Sequence, residues 1–123
     1  MTIAYWCVLV AALLPHLTVG PAKAVKSFDN HAPREWEARL TGWRARAYWA
    51  HLNGFEAFPP FAAGVIVAHL AGAPQGRVDV LAVAFVASRM VYGALYYADR
   101  ATARSIVWTA GMACVVGLFF AGA

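Results

Sequence analysis

Charge is scarce, and acidic charge scarcest. The chain has 6 Asp and Glu residues against 10 Lys and Arg, and charged residues make up 13% of its 123 positions. An ordinary soluble domain carries about 25%. Charge is missing altogether from Ile3 to Gly20, Phe58 to Gly76, Val80 to Ser88 and Ser105 to Ala123. This composition does not build a surface that faces water on every side. Cysteine is nearly absent too. Cys7 and Cys114 form no CxxC pair, which argues against a disulfide framework or a cysteine metal site and leaves small apolar packing as their role. No glycine-rich phosphate loop occurs, so nothing points to ATP use. Ser27, Ser88 and Ser105 lack the context of a nucleophile elbow, which removes the case for hydrolase chemistry. His16, His31, His51 and His69 make no compact ligand pattern, so no metal is expected. The apolar blocks do not alternate with period two. A closed barrel is therefore disfavoured, and helices are the remaining backbone solution for a lipid environment.

What is present is hydrophobic: 62% of the chain. A crossing helix needs about 20 mostly apolar residues. The blocks predict an all-α bundle of four transmembrane helices, about 2–20, 43–72, 78–98 and 104–122, in a single membrane domain over 1–123. Pro59 and Pro60 should bend the long second helix, and Pro15 the first. The connection 21–42 is long, with room for a short surface helix around Pro33–Glu37, while 73–77 and 99–103 are tight. The first segment lacks the positive start of a signal peptide and reads as a retained helix. Lys23, Lys26, Arg34, Arg39, Arg44 and Arg46 precede or open the second helix, and Arg100 and Arg104 lie between the last two, whereas only Arg77 marks the opposite side. The basic side should be cytoplasmic, with both termini outside. The expectation is a multi-pass integral protein of the plasma membrane, or the inner membrane in a prokaryote. The net charge of +4 reads as topology and contact with anionic membrane lipid, not as nucleic-acid binding.

Polar groups inside apolar segments carry the functional signal. Asn53 and Glu56 share one helical face with Trp49 and Pro60, and Arg46 extends that face by a turn. Such groups are costly at membrane depth unless they meet a partner helix, a cavity or a ligand. The face suits an interhelical network, a ligand site or a transport site. Gly54 permits close helix approach at the same level. Arg89, Tyr92 and Tyr96 share a face of the next helix, with Tyr97 about 100° around it. Arg89 could pair directly with Glu56 and so occupy its carboxylate. Arg104 and Ser105 fall at the expected start of the last helix, whose unsatisfied amides favour an anion. There Arg104 suits either a bound thiolate or a lipid headgroup. His51 points away from Asn53 and Glu56, as a packing residue or an accessory ligand contact.

The run Arg46-Ala-Tyr-Trp-Ala-His-Leu-Asn53-Gly-Phe-Glu56-Ala-Phe-Pro59, then Arg89-Met-Val-Tyr92-Gly-Ala-Leu-Tyr96, then Arg104-Ser105, resembles the MAPEG family. These are the membrane-associated proteins of eicosanoid and glutathione metabolism, and the likeness is to the microsomal glutathione transferases among them. The resemblance implies a four-helix protomer, a homotrimer, and glutathione as co-substrate between adjacent subunits. It implies a cofactor-binding set of Arg46, Asn53, Glu56, Arg89, Tyr92 and Tyr96, with Arg104 as the catalytic group that polarises the thiol and Arg100 as its fallback. It implies a transferase, with peroxidase activity as a second reaction, and a hydrophobic small molecule as second substrate. Trp49 and Ala57 stand where some members carry arginine and tyrosine. A non-catalytic lipid- or glutathione-binding protein and a small proton-coupled transporter are the alternatives.

Overall fold

The computed structural model describes all residues, 1–123, and the fold is entirely α-helical. Its helices are α1 (Ile3–Lys23), α2 (Pro33–Ala38), α3 (Gly42–Leu70), α4 (Gln75–Tyr97) and α5 (Ala101–Phe120). Three of them, α1, α4 and α5, are long and apolar enough to cross a membrane. The protein is an integral, multi-pass membrane protein. Its outer surface agrees: Trp6, Leu13, Leu17, Val80, Ile106 and Phe120 are among many large apolar side chains left exposed. A soluble monomer rarely tolerates so much contiguous apolar surface.

The two tight connections share one device. At the end of α3, Gly72 takes a positive φ of 68°, and the amides of Gly72 and Ala73 return to the carbonyls of His69 and Ala68. At the end of α4, Asp99 takes φ 57°, and the amides of Asp99 and Arg100 return to Tyr96 and Leu95. Both are Schellman caps, which satisfy the last carbonyls and reverse the chain in a few residues. Aspartate tolerates the left-handed conformation better than most residues because its short side chain bonds locally. That early reversal is why α5 begins at Ala101, three residues ahead of the expected start. It leaves Arg104 inside the helix, its amide already bonded to the Arg100 carbonyl at 2.9 Å. The expectation that Arg104 sits among unsatisfied N-terminal amides is corrected accordingly. Pro74, fixed in φ, likewise starts α4 at Gln75. The helix α3 runs unbroken through Pro59 and Pro60.

The helices α3 and α4 form the central pair, and each also touches α1 and α5, which do not touch each other. The core joins Phe61 and Phe85, stacked with centroids 4.0 Å apart, to Val65, Val78, Val115 and Leu118. Small residues bring the backbones together: Ala4, Ala11, Ala57, Ala68 and Ala82 are all in that core. Membrane helices rely on such close approach because lipid offers no hydrophobic drive between them. Gly54 of α3 lies so close to α1 that a Cβ would come within 2.8 Å of Pro15 Cγ.

The two ends of the bundle are tied differently. At one end Asp79 accepts from the Ala4 amide at 2.9 Å, His69 and the Thr2 hydroxyl meet at 3.0 Å, and Arg77 donates to the Ala121 carbonyl at 2.9 Å. Both chain ends lie there. At the other end, α2 docks through Glu37, 5% exposed, whose carboxylate meets Lys23 Nζ at 2.6 Å. The connection 24–41 lies at that end, and so does the α4–α5 turn.

Candidate functional site

The polar face of α3 meets the polar face of α4 where sequence spacing placed them. Arg89, 9% exposed, donates from Nη2 to Asn53 Oδ1 at 2.9 Å. Asn53 passes the contact on, donating from Nδ2 to Glu56 Oε2 at 3.1 Å. The direct Arg89–Glu56 ion pair is not formed; neither of the chain's two ion pairs involves these residues. The offset of three residues puts Asn53 and Glu56 on the same side of α3, and Asn53 is the nearer to α4. Its amide can accept from a cation and donate to a carboxylate at once. The Glu56 carboxylate is therefore left exposed at the outer edge of the network. Pro59 and Pro60 cannot donate to the carbonyls of Phe55 and Glu56, so this turn also has free backbone acceptors.

An aromatic ladder continues from Arg89. Its guanidinium lies 4.1 Å from the centre of the Tyr92 ring. Tyr92 meets Tyr96 edge to face at 5.4 Å. The Arg104 guanidinium lies over the other end of the ladder, 4.0 Å from the Tyr96 centroid. Trp49 approaches Tyr96 at 6.4 Å. Arginine held on an aromatic face keeps its N–H edges free for an anion. Arg104 thus presents a cation at one end of the site, and Glu56 an anion at the other. Arg100 is exposed at the N-cap of α5 and takes no part in the ladder. The Ser105 hydroxyl turns back to the Ala101 carbonyl at 3.2 Å.

Arg46 is placed differently from the expectation that it faces a ligand. Its Nε donates to the Tyr96 carbonyl at 3.0 Å and its Nη2 to the Tyr97 carbonyl at 3.2 Å. It clamps the C-terminus of α4, where carbonyls lack helical partners and a cation is favoured. The clamp fixes the backbone that carries Tyr96. Tyr97, on the other side of α4, donates its hydroxyl to the Thr18 carbonyl and so binds α1. His51 contacts the Pro15 carbonyl through Nδ1 at 2.7 Å, which makes it a link between α1 and α3. Ala57 packs into the core at 4% exposure. None of these backbone targets leaves a trace in the sequence.

The arrangement joins an exposed carboxylate, an amide, two phenols and an aromatic-held arginine along one side of α3 and α4 and the first turn of α5. It suits a zwitterionic, amide-rich ligand with an anionic end. No group of three or more His, Cys, Asp or Glu side chains is placed to hold a metal ion. A model of the MAPEG family matches the chain over residues 3–123. No curated protein and no solved structure matches it.

Proposed function

The chain belongs to the MAPEG family, and on that premise we propose that it is a glutathione-dependent membrane transferase that also reduces hydrophobic peroxides. The observation that carries the reading is the separation of unpaired charge along the ladder, with Glu56 exposed at one end and Arg104 stacked on Tyr96 at the other. Glutathione has the complementary pattern. In this reading Glu56 holds its amino group, Asn53 its peptide, and Tyr92 and Tyr96 line the wall. Arg89 holds Asn53 in position, Arg46 holds the Tyr96 backbone, and Arg104 stabilises the thiolate over the thiol.

The reaction needs no protein nucleophile. The bound thiolate attacks an electrophilic carbon, a C–S bond forms, and the leaving group departs with its electron pair. With a hydroperoxide, sulfur attacks the distal oxygen and the alcohol leaves after protonation. The sulfenic acid formed is then reduced by a second glutathione, giving the disulfide and water. Positioning and thiolate stabilisation are the protein's contributions. A lipophilic second substrate reaches the site from the bilayer.

The same reading makes α3 the fourth crossing helix and the assembly a homotrimer. Trp49, on the face that carries Glu56, is 51% exposed. A carboxylate there is costly against lipid and calls for a protein neighbour. The basic end, with Lys23, Arg46 and Arg104, then faces the cytoplasm.

Turnover tests the proposal. Purified protein, glutathione and chlorodinitrobenzene should yield conjugate at a rate proportional to enzyme, and cumene hydroperoxide should be consumed with glutathione oxidation. Saturable glutathione binding with neither reaction would favour a non-catalytic binding protein.

A further inference from the structure

A second polar recess lies at the charged end of the bundle, away from the ladder, between the 24–41 connection and the start of α3. It spans about 840 Å³ including the space open to the outside, and Ser27, Trp36, Arg39, Thr41 and Arg44 line it. Arg44 is held with its guanidinium 4.7 Å from the centre of the Trp43 ring. Its Nε is buried and has no acceptor. Arg44 as a whole is half-buried, and a buried guanidinium donor without an acceptor is expensive, so an anion reaching this edge would be favoured. Thr41 stands at the N-cap of α3, yet its hydroxyl makes no capping bond. Arg39 is 81% exposed and held only by a loose 3.7 Å contact with Glu35, itself 76% exposed. The other acid of α2, Glu37, is already taken by Lys23 at 2.6 Å. Two arginines and a free hydroxyl therefore face one recess without a committed counter-ion.

We propose that this recess binds a phosphate group through Arg39 and Arg44, with the Thr41 hydroxyl as a further contact. Arginine matches phosphate geometry because its planar fork donates two parallel bonds. The position favours an anionic phospholipid as the source. The recess lies at the end of the bundle where basic residues gather, and Val25 and Leu40 give it an apolar side. A free phosphate compound presents the same chemistry without the chains.

The test uses the full chain in nonionic detergent, titrated separately with short-chain phosphatidylglycerol, short-chain phosphatidylcholine and inorganic phosphate. The thermal midpoint and calorimetric heats report binding. Phosphatidylglycerol should give a saturable rise in midpoint, and Arg44→Gln or Arg39→Gln should weaken it about tenfold or more. Arg39→Gln guards against a folding defect, since that side chain is largely in solvent. Arg34→Gln removes the same charge outside the recess and should leave the affinity unchanged. An arginine-dependent response to inorganic phosphate alone would keep the site and identify a soluble ligand. Equal responses to the two lipids, no saturation by any ligand, or an equal loss in Arg34→Gln would overturn the proposal.

Discussion

A methyl group at position 54 should push α1 and α3 apart where they approach closely. An Ala Cβ at position 54 would sit 2.8 Å from Pro15 Cγ, 3.2 Å from Pro15 Cβ and 3.6 Å from Pro15 Cα. The proline ring cannot rotate away, and its Cα belongs to the backbone of α1. The helices must therefore separate by several tenths of an ångström, and the 2.7 Å contact between His51 and the Pro15 carbonyl, one turn away, must lengthen with them. Overpacking of this kind costs about 1–3 kcal/mol. Replacing a mid-helix glycine by alanine returns about 1 kcal/mol of helix propensity. Gly54→Ala should then destabilise the folded protein by about 0–2 kcal/mol. Gly20→Ala, with nothing within 4 Å of the new Cβ, should stabilise it by up to about 1 kcal/mol. Reversible unfolding in mixed micelles measures both. The cycle with Pro15→Ala sharpens the test, because removing the ring takes away the 2.8 Å clash with Cγ and should relieve most of the penalty at position 54. If Gly54→Ala is as stable as Gly20→Ala, or keeps its full penalty when the Pro15 ring is gone, close packing against Pro15 is not what position 54 feels.

Three further outcomes follow from single contacts. Asn53→Ala should cost about 1–2 kcal/mol, since it strips Arg89 of its acceptor inside the bundle; thermal unfolding showing no loss would remove Asn53 from the network. Lys23→Met should leave Glu37 buried without its cation and destabilise by about 2–3 kcal/mol, below the usual range for a fully buried pair because Lys23 is 31% exposed. Limited proteolysis should find the 24–41 connection opened in that variant, and an unchanged cleavage rate would contradict the docking of α2. Arg46→Gln should lower glutathione affinity several-fold while leaving the unfolding free energy within about 1 kcal/mol of wild type, as expected of a group that positions Tyr96 through its carbonyl; calorimetry showing unchanged affinity would refute that role.

Much of the candidate site was legible because helical periodicity is. Spacings of three and four put Asn53 with Glu56, and Arg89 with Tyr92 and Tyr96, on single faces, and the fold brings those two faces together. Charge alone could not tell that Asn53 stands between Arg89 and Glu56; that depends on the rotation of α3 about its own axis. The partner of Arg46 was hidden for another reason, since a backbone carbonyl looks the same at every residue. The start of α5 was misplaced because Asp99 adopts a glycine-like conformation, which its side chain permits but does not announce. Three spanning helices stand out by apolarity. The helix α3 does not, because Arg44, Arg46, Asn53 and Glu56 interrupt it, and these include the residues on which the functional reading rests.

The proposed reaction turns on Arg104, held on Tyr96, stabilising the glutathione thiolate. Ultraviolet difference absorbance during glutathione titration of the purified protein measures the thiolate directly. Wild type should develop a saturable thiolate band at neutral pH, and Arg104→Ala should lose most of it while still binding glutathione. A wild-type protein with no thiolate band at saturating glutathione, or an Arg104→Ala variant with the full band, would contradict that role for Arg104.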